Sequence, residues 1–150
     1  MRNAGLSRWL PAFTWAALIW TLSTGWFSSE RTSALILPVL ATIFPGRSPT
    51  ELRAIHAVMR KLAHFGEYVV LSILLYRALR GGRRWNVRAA ALAVLIAGLY
   101  AVSDELHQWF VPGRTAATMD CLIDVSGALA GQGLLAARAA ALALRLRALA

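Results

Sequence analysis

One cysteine, Cys121, is all the sequence holds, which excludes an internal disulfide and a zinc site built from cysteine pairs. Cys121 reads as a small apolar residue near a helix start. Acids are scarce too: seven among 150 residues, with charged residues of both signs making up only 15%. A soluble domain charges about a quarter of its residues, so a water-facing globular surface is excluded for most of the chain. Lysine is almost missing, since fifteen of the sixteen basic residues are Arg and the other is Lys61. The bases are not interleaved with aromatics as in single-strand nucleic-acid binders. The net charge of +9 therefore does not describe a nucleic-acid surface, and no nucleic acid is expected as a partner.

Hydrocarbon fills the space that charge leaves. Apolar residues make up 58% of the chain and the mean hydropathy is +0.55. Arginine flanks the apolar runs, where it sets membrane orientation. One domain, 1–150, is expected. It is all-α: an integral membrane bundle of four transmembrane helices, with a short interfacial segment between the first and second.

The first span is 10–27, uncharged and just long enough to cross. Trp9, Trp26 and Phe27 mark its ends. A cleaved signal peptide is the rival reading, with 23–25 as the small-residue site. The apolar remainder of the chain favours a retained span. Residues 34–44 are apolar but too short to cross, and Pro38 interrupts them, so they belong at the interface. Ser48, Pro49 and Glu51 then spell a capping box with proline at the first helical position. Leu52, Ile55 and Met59 follow on one stripe. His56 beside them reads as an exposed interfacial residue. That helix can run on into the second span, 62–79, which Gly81 and Gly82 end. Arg80, Arg83, Arg84 and Arg88 make the next loop a cytoplasmic marker. The third span is 88–109 and the fourth 121–144, joined through a Pro112–Gly113 turn that carries Arg114. Trp109 and Phe110 read as interfacial anchors. With the N-terminus inside, four spans return the C-terminus inside. The inner ends then hold arginines and no acid, while all seven acids fall on or near the outer side.

Ionisable residues gather where hydrocarbon should be. Lys61, His64 and Tyr68 fall at i, i+3, i+7 with Glu67 beside them, and Tyr100, Asp104, His107 and Gln108 share a face at the end of the third span. Glu105 lies about 100° away from Asp104. Asp120, Asp124, Gly127 and Gly131 form a stripe on the fourth span, and Gly127 with Gly131 makes a GxxxG pair suited to helix packing. The ligand-binding set is thus Lys61, His64, Glu67, Tyr68, Asp104, Glu105, His107, Gln108, Arg114, Asp120 and Asp124. Charges at membrane depth cost about 2.5–3.5 kcal/mol each on insertion scales, so they pair, meet water or bind something. The bland reading is pairing: Arg114 with Asp120 or Glu105, and Lys61 with Glu67, tying helices together.

Three functions stay open on these residues. The first is binding or handling of an envelope lipid or cell-wall precursor at the outer leaflet, with Arg114 gripping a phosphate. The second is an intramembrane metal-assisted hydrolase or transferase. His64, Asp104, Glu105 and His107 are its catalytic candidates, and His64, His107, Asp120 and Asp124 its metal candidates. A metal-free version uses His107 as base, oriented by Asp104. The third is a helix-packing partner subunit or small transporter, which as a homo-oligomer would use the GxxxG face. No cofactor is specified.

Three blocks resemble the VanZ-like family: 61–68 (KLAHFGEY), 103–114 (SDELHQWFVPGR), and 120–124 with Gly127 and Gly131. Residues 21–23 and 28–29 are similar to the end of that family's first helix. The resemblance covers nearly the whole chain, and its middle block is the specific one. It implies a small multi-pass protein of the bacterial cytoplasmic membrane. It also implies a link to glycopeptide (teicoplanin) tolerance, which is the source of the family's name. Asp124 departs from the Asn common in the family's fourth helix and adds a charge there.

Overall fold

The computed structural model describes residues 6–81, 85–111 and 118–149. Arg83, Arg84, Arg114 and the Pro112–Gly113 turn lie outside the described residues. Among those described there are five α-helices, one short 3-10 turn and no strand: α1 (Leu6–Leu22), the turn Gly25–Phe27, α2 (Ser29–Ile43), α3 (Pro49–Leu79), α4 (Val87–Trp109) and α5 (Thr118–Ala148).

Local chemistry explains the boundaries. Ser28 caps α2 by accepting from the Arg31 amide. Ser48 Oγ accepts from the Glu51 amide, and the Glu51 carboxylate accepts from the Ser48 amide at 2.8 Å. With Pro49 at the first helical position, this closes the capping box. The capping helix and the second apolar run are one continuous helix of 31 residues. Arg80 ends it and Gly81 leaves in the left-handed region at φ 62°. Asn86 Oδ1 accepts from the Arg88 and Ala89 amides to start α4.

Three helices, α3, α4 and α5, are long and apolar enough to cross a membrane. α1 has 17 residues and spans about 26 Å, close to the hydrocarbon thickness of about 30 Å. α2 has 15 residues with Pro38 inside, and it rests on α3 through Leu40 and its neighbours.

Contacts between helices give the topology. Tyr100 donates to the Ala16 carbonyl and Ser23 to Asp104, so α1 and α4 run parallel. Phe65 lies against Gly127 and Val69 against Gly131, so α3 and α5 are parallel as well. α1 runs against α3: Trp15 Nε1 donates to the Glu67 carbonyl, while Ser23, near the other end of α1, shares a cleft with Ala63 and His64. The α3–α5 pair is the most extensive contact in the bundle. Glycine is the reason. A Cβ on Gly131 would stand 2.8 Å from the Val69 carbonyl oxygen, and one on Gly127 closer still to that of Phe65. Backbone meets backbone at both sites.

α4 buries a ladder of alanines, Ala89, Ala93, Ala97 and Ala101. Its outward face carries Leu92, Leu95, Leu99, Val102 and Leu106. Small side chains inside with large apolar ones outside is the pattern of a helix solvated by lipid. Above Ala101 the buried ladder continues as Asp104 and Gln108, so the inner face turns polar in its last two turns.

His56 is a correction. It is not an exposed interfacial residue: it is 4% exposed, and its Nδ1 lies 3.1 Å from Ser33 Oγ. α2 folds back over α3 and covers it, which α3's own periodicity does not reveal.

Candidate functional site

The polar groups lie at one end of the bundle, where α1 and α4 finish, α5 starts, and the middle of α3 passes. Three arrangements organise them. In the first, Asp104 Oδ2 accepts from Ser23 Oγ at 2.7 Å and from Gln108 Nε2 at 2.9 Å. All three are buried. Asp104 and Gln108 are one turn apart on α4, and Ser23 arrives at the end of α1, so this node pins α1 to α4. In the second, His64 Nδ1 on α3 faces Asp124 Oδ1 on α5 at 3.5 Å, with Asp124 1% exposed. In the third, two helix turns deeper, Gln132 Nε2 donates to Ser72 Oγ and to the Ser72 carbonyl, and Ser72 Oγ donates to the Ala128 carbonyl. Ser72 and Gln132 escaped the sequence reading. The signal was present: Gln132 lies eight residues after Asp124 and Ser72 eight after His64, on the same stripes.

A cleft of about 120 Å³ opens beside these groups, lined by Leu22, Ser23, Phe27, Thr32, Arg60, Ala63, His64 and Glu67. Arg60, His64 and Glu67 come from one face of α3, at i, i+4 and i+7. Arg60 Nη1 donates to the Phe27 carbonyl and to Thr32 Oγ1, which anchors its guanidinium over the start of α2. The cleft therefore offers a cation, an imidazole, a carboxylate and two hydroxyls. Arg60 and Thr32 were not among the sequence candidates.

The other candidates divide. Tyr68 is fully buried beneath the cleft, while Lys61 is exposed, so the Lys61–His64–Tyr68 face straddles the helix from outside to core. Glu105 and Asp120 are half-buried and do not line the cleft. His107 stacks on Trp20 with ring centroids 4.1 Å apart. Its Nε2 is buried with no hydrogen-bond partner. The Asp104–His107 pair of the metal-free mechanism does not form, because Asp104 Oδ2 is taken by Ser23 and Gln108 while its Oδ1 has no partner. Among the described residues, no three of His, Cys, Asp and Glu could together hold a metal ion. His64, His107, Asp120 and Asp124 are thus not one ligand cage: His64 and Asp124 face each other across α3 and α5, and His107 lies against α1.

Comparison with known proteins adds one finding. The VanZ/LLP1 family description matches residues 9–140. The chain belongs to the VanZ/LLP1 family. No curated protein and no solved structure matches it. The family match reaches into every helix of the bundle and includes every residue lining the cleft, so in this VanZ/LLP1 chain most of α1 and the whole cleft fall within the matched stretch. It also shows a small membrane protein when joined to the three long apolar helices.

What the arrangement can do chemically follows from its donors. An imidazole with a buried carboxylate on its Nδ1 side and an open cleft beside it suits proton transfer. A guanidinium flanked by hydroxyls suits a phosphate.

Proposed function

We propose that the protein crosses the bacterial cytoplasmic membrane four times, with both termini in the cytoplasm, and that its cleft handles a phosphate-bearing envelope lipid or cell-wall precursor at the outer leaflet. α1 is the fourth crossing in this reading. Arg8, Arg80, Arg88, Arg138, Arg145 and Arg147 cluster at one end, opposite the cleft. Tolerance of glycopeptides such as teicoplanin would follow from altered handling of such a precursor.

The observation that carries the reading is the cleft itself. Arg60 is held in place by Phe27 and Thr32, beside Ser23 and His64, at the end of the bundle opposite its arginine-rich end. Lipids reach such a site sideways, and a headgroup phosphate finds one fixed cation there. Arg114, outside the described residues, is the second phosphate-binding cation of this reading.

Native mass spectrometry of the purified protein with phosphatidylglycerol, phosphatidylethanolamine, a polyprenyl phosphate and a neutral diacylglycerol tests this. Wild type retains the phosphate-bearing lipids. Arg60→Ala and Arg114→Ala each lower retention by about tenfold, the scale of one charged hydrogen bond. Equal retention of diacylglycerol, or no effect of either variant, would count against the proposal.

A second reading, a hydrolase or transferase on the same lipids, draws on His64 and Asp124. Turnover of a retained lipid that His64→Gln abolishes and His107→Gln leaves intact would favour it. The third reading, a helix-packing partner, loses its face: Gly127 and Gly131 are occupied within the chain by α3.

A further inference from the structure

We infer that the cleft takes a lysophospholipid, whose phosphate meets Arg60 and whose free glycerol hydroxyl donates to His64. The inference rests on the reading that the cleft holds a phosphate-bearing lipid, and it narrows that reading to one class. Donors decide it. Ser23 Oγ donates to Asp104 Oδ2 at 2.7 Å, and Thr32 Oγ1 donates to the Ser28 carbonyl at 2.8 Å. With their protons engaged, both hydroxyls can only accept from the cleft. His64 Nδ1 faces the buried Asp124 Oδ1 at 3.5 Å. A carboxylate on that side keeps the ring proton on Nδ1 and leaves Nε2 as an acceptor. The Glu67 carboxylate on the same wall accepts as well, and the rest of the lining is apolar. Among the described side chains that line the cleft, Arg60 is thus the only donor.

Position along α3 puts the donor and the acceptors in order. Arg60 bonds Phe27 and Thr32 where α1 gives way to α2. Glu67 lies about 10 Å further along the helix, where its carbonyl meets Trp15, well inside α1. His64 stands between them. The cation is therefore at the end of the bundle, and the acceptors lie toward its middle. A lipid with its phosphate on Arg60 and its tail along the bundle shows His64 whatever hangs just below that phosphate. A diacyl lipid shows ester oxygens there, so acceptors would face acceptors. A polyprenyl phosphate shows hydrocarbon. Ethanolamine and glycerol headgroups carry their donors on the far side of the phosphate. A glycerol hydroxyl freed of its acyl chain is a donor in the right place, and half-buried acceptors left unmatched are costly.

Native mass spectrometry of the purified protein tests the class with probes that share one headgroup. They are 1-acyl lysophosphatidylglycerol, its 2-O-methyl ether and diacyl phosphatidylglycerol, with diacylglycerol as the phosphate-free control. The ether keeps the single chain and loses only the donor. Wild type should retain the lysolipid about tenfold better than the ether, the scale of one hydrogen bond. His64→Phe, which cannot accept, brings that ratio toward one, and Arg60→Ala lowers retention of all three phosphate lipids. Equal retention of lysolipid and ether by wild type would overturn the inference and leave the phosphate reading standing. So would a preference for the lysolipid that survives His64→Phe. Diacylglycerol retained as well as the phosphate lipids would remove both.

Discussion

A serine hydroxyl facing a carboxylate inside a lipid-solvated bundle has no water to replace it. Ser23→Ala leaves Asp104 with only Gln108 as donor, and we expect a loss of about 1–3 kcal/mol in a reversible detergent unfolding titration. Thr14→Ala is the control, since Thr14 Oγ1 bonds only the Leu10 carbonyl of its own exposed turn, and it should be nearly silent. Gln132→Ala removes two bonds to Ser72 and should cost about 1 kcal/mol, the upper range for interhelical hydrogen bonds in membranes. At this scale acids are legible in a sequence because charge in an apolar run is expensive. Asp104 and Asp124 stood out for that reason, and both are buried. Ser23, Ser72 and Gln132 did not stand out, because small polar residues are cheap and common in such helices. His56 was misread because its partner, Ser33, belongs to another helix and local periodicity carries no record of it.

Helices succeed or fail here by how closely they approach. Gly127→Ala puts a methyl into the Phe65 carbonyl and must push α3 from α5, costing about 1–3 kcal/mol as overpacking. Gly133→Ala meets nothing within 4 Å and should be neutral or slightly stabilising through helix propensity. Circular dichroism melts of the two variants check the pair. Capping signals made the start of α3 readable, since Ser48, Pro49 and Glu51 act within one turn. Its continuity through to Leu79 was readable too, with no glycine pair or proline to stop it. The parallel pairing of α3 with α5 was not. A GxxxG pair announces that some backbone comes close without naming which, and here the partner surface is the carbonyls of Phe65 and Val69. The cleft was half legible: His64 and Glu67 were marked by charge, but Arg60 and Thr32 join only once α2 has folded over α3.

Across the whole molecule, charge asymmetry is what the proposed orientation rests on. In a Cys121→Ser background, Phe110→Cys should react with a membrane-impermeant maleimide in intact cells, and Arg88→Cys only after permeabilisation. Both parent residues are exposed, at opposite ends of α4. The reverse pattern would invert the orientation and put the cleft in the cytoplasm. The two helix pairs are also fastened differently. α3 and α5 meet backbone to backbone, whereas α1 reaches α4 through side chains: the Ser23 hydroxyl, the Tyr100 phenol and the Trp20–His107 stack. Side-chain ties come undone one rotamer at a time, while interlocked glycines do not. Amide hydrogen exchange should therefore melt the molecule in sequence, α1 unlatching first and the glycine seam surviving longest.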